Sequence, residues 1–248
     1  MFDEKEVYQI VLAILLMTYL IAFSKLTLYN ILIAFIFAFF ILVPHVIAHK
    51  ITAINYLANS KFKLLEWRRY WFFEDSTFKY PFPIWLVLPI LVAFATLGKV
   101  LLFTIESCQI KWKPNKRIGR WYTELQEHEI SNIGLAGPLT NLAFAFIAGI
   151  VFSFVSLPLI KEFAILNAWF AFFCLLPIGG LDGTKILFGG KIRWTFVFVF
   201  TIAMLILLYF INIYFTFILA LILAAVIGLW FLREELPPKT HKKPVILR

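Results

Sequence analysis

Val43-Pro44-His45-Val46-Ile47-Ala48-His49 closes a long apolar run and carries two histidines four residues apart. On an α-helix, positions i and i+4 share one face, so both imidazoles can reach the same small ion. Imidazole is a common zinc ligand, and two histidines at this spacing are the ligand pair of the zinc-binding pattern His-Glu-x-x-His. Val46 stands where that pattern has its glutamate. The ligand pair is present, while the group that would move protons is missing from its usual place.

The surroundings of this stretch set the class. Of the 248 residues, 62% are hydrophobic and only 15% are charged, well below the quarter usual in soluble domains. Apolar runs cover about 7–23, 28–49, 84–105, 131–157, 160–177, 194–211 and 213–232, several of them long enough to cross a bilayer. The last two meet near Asn212. The first run follows Asp3, Glu4, Lys5 and Glu6 rather than the positive start of a signal peptide, so it reads as a genuine helix. The net charge of +9 suits cytoplasmic loops of a membrane protein, not nucleic acid. Cys108 and Cys174 are too few for a disulfide framework. No internal repeat is evident, which argues against an inverted-repeat transporter.

Basic residues collect in 50–79, in 111–120 (Lys111, Lys113, Lys116, Arg117, Arg120), in 185–193 and after Arg233. All four groups fall on the cytoplasmic side only if 84–105 does not cross. That segment enters after Pro81 and Pro83 and contains Pro89, Gly98 and Lys99, which suit a re-entrant hairpin enclosed by protein. The expected architecture is all-α and polytopic: six transmembrane helices, a re-entrant hairpin, and both termini in the cytoplasm of the cell. One integral membrane domain covers 1–236, and a basic tail without fixed order covers 237–248. Two stretches read as short membrane-associated strands, Lys61-Phe62-Lys63-Leu64 and Gln109-Ile110-Lys111-Trp112-Lys113, the latter before a turn at Pro114-Asn115.

Polar groups within apolar spans are costly and are functional candidates. Besides the histidines they are Gly137-Pro138-Leu139-Thr140-Asn141, then Asn167, then Leu181-Asp182-Gly183 after Pro177. Catalytic zinc takes three protein ligands and one open position. Asp182 is the natural third ligand, and the re-entrant topology makes this geometrically possible: spans 28–49 and 160–177 then run in one direction and their ends meet at one depth. With a seventh crossing those ends would lie about 30 Å apart. Asn141 could hydrogen-bond a bound peptide or a developing oxyanion, or could satisfy the carbonyl that Pro138 frees from its helix.

In this order, His45-x-x-x-His49, Gly137 to Asn141, and Asn167 through Pro177 to Leu181-Asp182-Gly183 resemble the three motifs of the site-2 protease family, intramembrane zinc metalloproteases. The resemblance spans about 28–188, and Pro-Ile-Gly-Gly-Leu-Asp-Gly-Thr-Lys at 177–185 is its closest local match. It implies that His45, His49 and Asp182 hold zinc and that Gly137, Pro138 and Asn141 line the path of a transmembrane or membrane-proximal peptide. The chain departs from the family at Val46, which replaces the general base. It departs again at Cys174, where the family often has Asn, and at Gly179 and Gly180, where it often has prolines.

No catalytic residue of the motif is then intact. Two functions are open: a protease with a substitute base, or a pseudoprotease that binds metal and membrane segments without cutting them. A transporter or channel is a third, weaker reading. Glu66, Glu74, Asp75 and Glu106 are the loop carboxylates near the expected site, and each reads as a solvated or salt-paired loop charge. Glu127, His128 and Glu129 read as the acidic start of a helix.

Overall fold

The computed structural model describes residues 2–69, 76–103, 105–112, 124–210 and 213–235. The expected tail at 237–248, the Pro114-Asn115 turn, Asn212, Glu74 and Asp75, and most of the basic 111–120 loop lie outside them.

Among the described residues, six helices are long and apolar enough to cross a membrane. They are α1 (Glu4–Ala22), α2 (Leu28–Asn55), α4 (Glu127–Val155), α5 (Pro158–Leu175), α7 (Lys191–Phe210) and α8 (Ile213–Glu235). This fits an integral membrane protein. The segment 84–105 forms only a short helix, α3 (Ile84–Ala95), of 12 residues. At 1.5 Å per residue it reaches about 18 Å, little more than half of a hydrocarbon core. Between α5 and α7 lies α6 (Asp182–Gly189).

Helix α2 runs six residues past His49, where the apolar pattern ends. Lys50 makes this possible. Its ammonium is buried and sits 2.8 Å from Glu6 Oε1 and 2.9 Å from Glu6 Oε2, and it donates to the Ser60 carbonyl at 3.1 Å. A charge that would normally end a span is thus neutralised inside the protein. Glu6 Oε1 also accepts from the Phe62 N–H at 2.8 Å, so one carboxylate pins α1, α2 and the first strand together.

Among the described residues, two small antiparallel sheets occupy the stretch between α2 and α4. Strand β1 (Ala58–Leu64) pairs with β4 (Glu106–Trp112), with Phe62 opposite Cys108 and Leu64 opposite Glu106. Strand β2 (Trp67–Arg69) pairs with β3 (Thr77–Phe82), all of whose residues are exposed. Both expected strands exist. They begin three residues earlier than the sequence suggests, and for β4 those three residues matter. Inward-facing positions of β1 include Phe62 and Leu64, and those of β4 are Glu106 and Cys108.

Leu65 gathers the ends of the 84–105 segment. Its carbonyl accepts from the Trp85 N–H and its own N–H donates to the Ile105 carbonyl, both at 3.0 Å. Between them the chain reverses at Leu97 and Gly98, both at positive φ, beyond the end of α3. The segment thus departs from and returns to one residue, and the next residue after its return is Glu106.

On the other side, α4 opens with Glu127 and Glu129 in its first turn, as expected of an acidic helix start, and the Glu129 carboxylate accepts from the Gln126 N–H at 3.0 Å. Its first half packs on α6 through Gly134 and Ser131, whose hydroxyl donates to the Ile186 carbonyl at 3.3 Å.

Candidate metal centre

The four side chains of the centre come from three elements of this fold. His45 and His49 project from one face of α2, Asp182 is the first residue of α6, and Glu106 is the first residue of β4. All four are at most 3% exposed. One ligand atom from each lies within 4.8 Å of every other. His45 Nε2 and His49 Nε2 are 3.0 Å apart, and Asp182 Oδ2 stands 3.0 Å from the second and 3.7 Å from the first. Glu106 Oε1 presses against His45 Nε2 and lies 3.9 Å from His49 Nε2.

The hydrogen bonds fix which ring atoms are bare. His49 Nδ1 donates to the Ile133 carbonyl at 2.7 Å. The Asn141 amide nitrogen donates to the Ile41 carbonyl at 3.1 Å and to Asn167 Oδ1 at 3.2 Å, which leaves Asn141 Oδ1 to accept from His45 Nδ1 at 2.7 Å. Both protons are committed to Nδ1, so both Nε2 lone pairs face the centre. Two imidazole lone pairs and two carboxylates therefore converge, and among the described residues no donor stands between them. That arrangement repels itself unless a cation sits inside it.

The dimensions suit one. Metal bonds of about 2.0–2.2 Å place neighbouring corners of a tetrahedron about 3.3–3.6 Å apart. The triangle of His45, His49 and Asp182, with sides of 3.0, 3.0 and 3.7 Å, is close to that. Gly137 keeps the interior clear. A Cβ on it would stand little more than a metal–nitrogen bond's length from the Nε2 of both histidines. The place where any other residue would put a side chain is where an ion would sit. This buried His/Glu/Asp group could hold a metal ion.

Asp182 is set by its neighbours as firmly as the rings. Lys185, one turn along α6, donates to Oδ1 at 2.8 Å and leaves Oδ2 for the centre. Burial alone would push this carboxyl up. The Lys185 ammonium works against this most strongly, and the carboxyl lies well below the ordinary carboxylate range. The turn before Asp182 is held against β4: the Ser107 hydroxyl donates to the Gly180 carbonyl at 2.7 Å. Gly180 has φ +98 and passes Leu65 so closely that a Cβ would lie 2.7 Å from Leu65 Cδ1, a double reason for glycine here.

The residues singled out in the sequence thus divide. His45, His49 and Asp182 meet. Gly137 borders them, though the structure gives it the task of clearing space. Pro138 is buried within α4. Asn141 has its amide engaged by His45, Ile41 and Asn167, so it braces a ring and leaves no polar atom turned to a peptide. Its partner carbonyl belongs to α2, not to the turn that Pro138 interrupts. Val46 is buried in the apolar cluster with Phe103 and Ile105. Glu66 pairs with Lys63 at 3.6 Å and with Arg68 at 3.9 Å, as expected of a loop charge.

Glu106 departs from that expectation: it is buried in the centre, carried there by the return of 84–105 to Leu65. The alternation of β4, with Glu106 and Cys108 on one face directly after Phe103 and Ile105, is the signal that could have found it. The chain matches no protein-family model, no curated protein and no solved structure.

Proposed function

We propose that this protein is a zinc-dependent intramembrane peptidase of the site-2 type, hydrolysing a peptide bond of a transmembrane or membrane-proximal segment. The observation that carries the reading is the convergence of His45, His49 and Asp182 on the space that Gly137 leaves open, three ligands with room for a fourth position. The order of the motifs along the chain supports the same reading. So does the 84–105 segment, whose two ends meet at Leu65. On this reading the segment is a re-entrant hairpin, and α2 and α5 run in one direction with both termini in the cytoplasm.

Zinc at the centre would act as a Lewis acid on the scissile carbonyl and make water acidic enough to attack near neutral pH. The chain's own residues supply position and polarity. Asn141 and the Ile133 carbonyl hold the two rings in one tautomer and one orientation. Lys185 keeps Asp182 ionised and turns one oxygen inward. The burial of all four groups excludes bulk water and strengthens each of these interactions.

Val46 favours a second reading, a pseudoprotease that keeps the metal and binds membrane segments without cutting. The test uses full-length protein purified in detergent and then reconstituted in liposomes with a single-span peptide substrate. The proposal expects one zinc per chain, and cleavage that a chelator stops and zinc restores. Metal without cleavage supports the pseudoprotease. Protein that binds no zinc rejects both.

A further inference from the structure

Three of the four converging groups are braced from behind. His45 has Asn141, His49 has the Ile133 carbonyl, and Asp182 has Lys185. Metal-ligating histidines and carboxylates are held in this way almost without exception, because an outer partner fixes the ligand's direction and raises its basicity. Glu106 differs. It is 3% exposed, yet among the described residues neither of its oxygens accepts a hydrogen bond. Its one close neighbour in the centre is His45 Nε2, itself a bare lone pair. It presses on the His45 ring and lies 3.9 Å from that of His49, a larger difference than the 3.7 and 3.0 Å of Asp182. A buried carboxylate without donors is expensive and persists only where something else holds it.

We propose that Glu106 is the general base of this centre, carried in on β4 to do from a strand what Val46 cannot do from α2. This rests on the peptidase reading above. The strand register makes the delivery rigid. Leu64 pairs with Glu106, Leu65 binds Ile105, and Ser107 binds Gly180, so the residue is held on both sides by its neighbours while its own oxygens stay uncommitted.

The step balances with water as co-reactant. An O–H bond of water breaks and its proton passes to a Glu106 oxygen, while the water oxygen bonds to the scissile carbonyl carbon and the C=O π pair moves onto the carbonyl oxygen. That pair re-forms the C=O bond as the C–N bond breaks, and the same proton passes from the Glu106 carboxyl to the departing nitrogen. The carboxylate is restored, and no oxidant or reductant is consumed.

The test is Glu106→Gln, which keeps the size of the side chain and removes its basicity. Two readouts are taken on the same full-length preparation: zinc per chain, and cleavage of the single-span peptide in liposomes. Expected are unchanged zinc, an unchanged visible spectrum after cobalt substitution, and cleavage reduced roughly 100- to 10,000-fold. Loss of zinc would make Glu106 a ligand and overturn the proposal. Retained zinc with wild-type cleavage would overturn it equally. A wild-type protein that holds zinc and cleaves nothing overturns the peptidase reading itself, and this inference with it. If Glu106→Gln does not yield monodisperse protein, Glu106→Asp decides. Bound zinc with cleavage reduced at least tenfold supports the base, and unchanged cleavage or lost zinc rejects it.

Discussion

The helical half of the centre and its strand half are built on opposite plans. On α2, α4 and α6, every inward polar atom has a second partner behind it: Asn141 and Asn167 for His45, Ile133 for His49, Lys185 for Asp182. On β4, backbone and neighbours are tightly held, while among the described residues Glu106 itself has nothing behind it. The contrast teaches which groups are arranged to stay still and which is free to change partner. A ligand needs fixed direction, whereas a proton carrier must face water in one moment and a leaving nitrogen in the next.

The comparison breaks most completely at the rings. His49→Ala removes one of the three proposed ligands, and metal analysis of the purified protein should find less than a tenth of the wild-type zinc; a variant that keeps its zinc would remove the helical half from the centre. Asn141→Ala leaves the ligand set intact but frees the His45 ring. Competition with a chromogenic chelator should report zinc affinity about 10- to 100-fold weaker. Lys185→Met strips the brace from Asp182, and the same assay should give a loss near the lower end, about tenfold.

Glu6→Gln tests the frame around both halves, since it leaves the Lys50 ammonium buried without its full counter-charge. Thermal unfolding in detergent should show destabilisation of about 3–5 kcal/mol, with zinc stoichiometry unchanged in the folded fraction. Glu66→Gln sharpens the contrast from the other side. This carboxylate is a true loop charge in the same stretch of chain, so stability should change by less than about 0.5 kcal/mol and zinc content not at all.

Much of this arrangement is legible in the residues themselves. The i, i+4 spacing of His45 and His49 and the apolar lengths of six helices depend on local pattern, and local pattern is what a sequence displays. The limits of that reading lie where a distant partner overrides the pattern. Lys50 looks like the end of a span until Glu6, 44 residues earlier, neutralises it. Asn141 looks open to substrate until Ile41 and His45, about 100 residues earlier, engage it. Glu106 looks like one more loop charge until a segment of about 20 residues returns to Leu65 and buries it.

The sequence by itself determined a membrane-embedded helical protein with a histidine pair and an aspartate fit to hold a metal. Tertiary structure alone decided which carboxylate joins them and which polar groups stand behind them. The reason is physical. Whether a carboxylate is solvated or enclosed depends on what folds over it, and its neighbours along the chain do not carry that information.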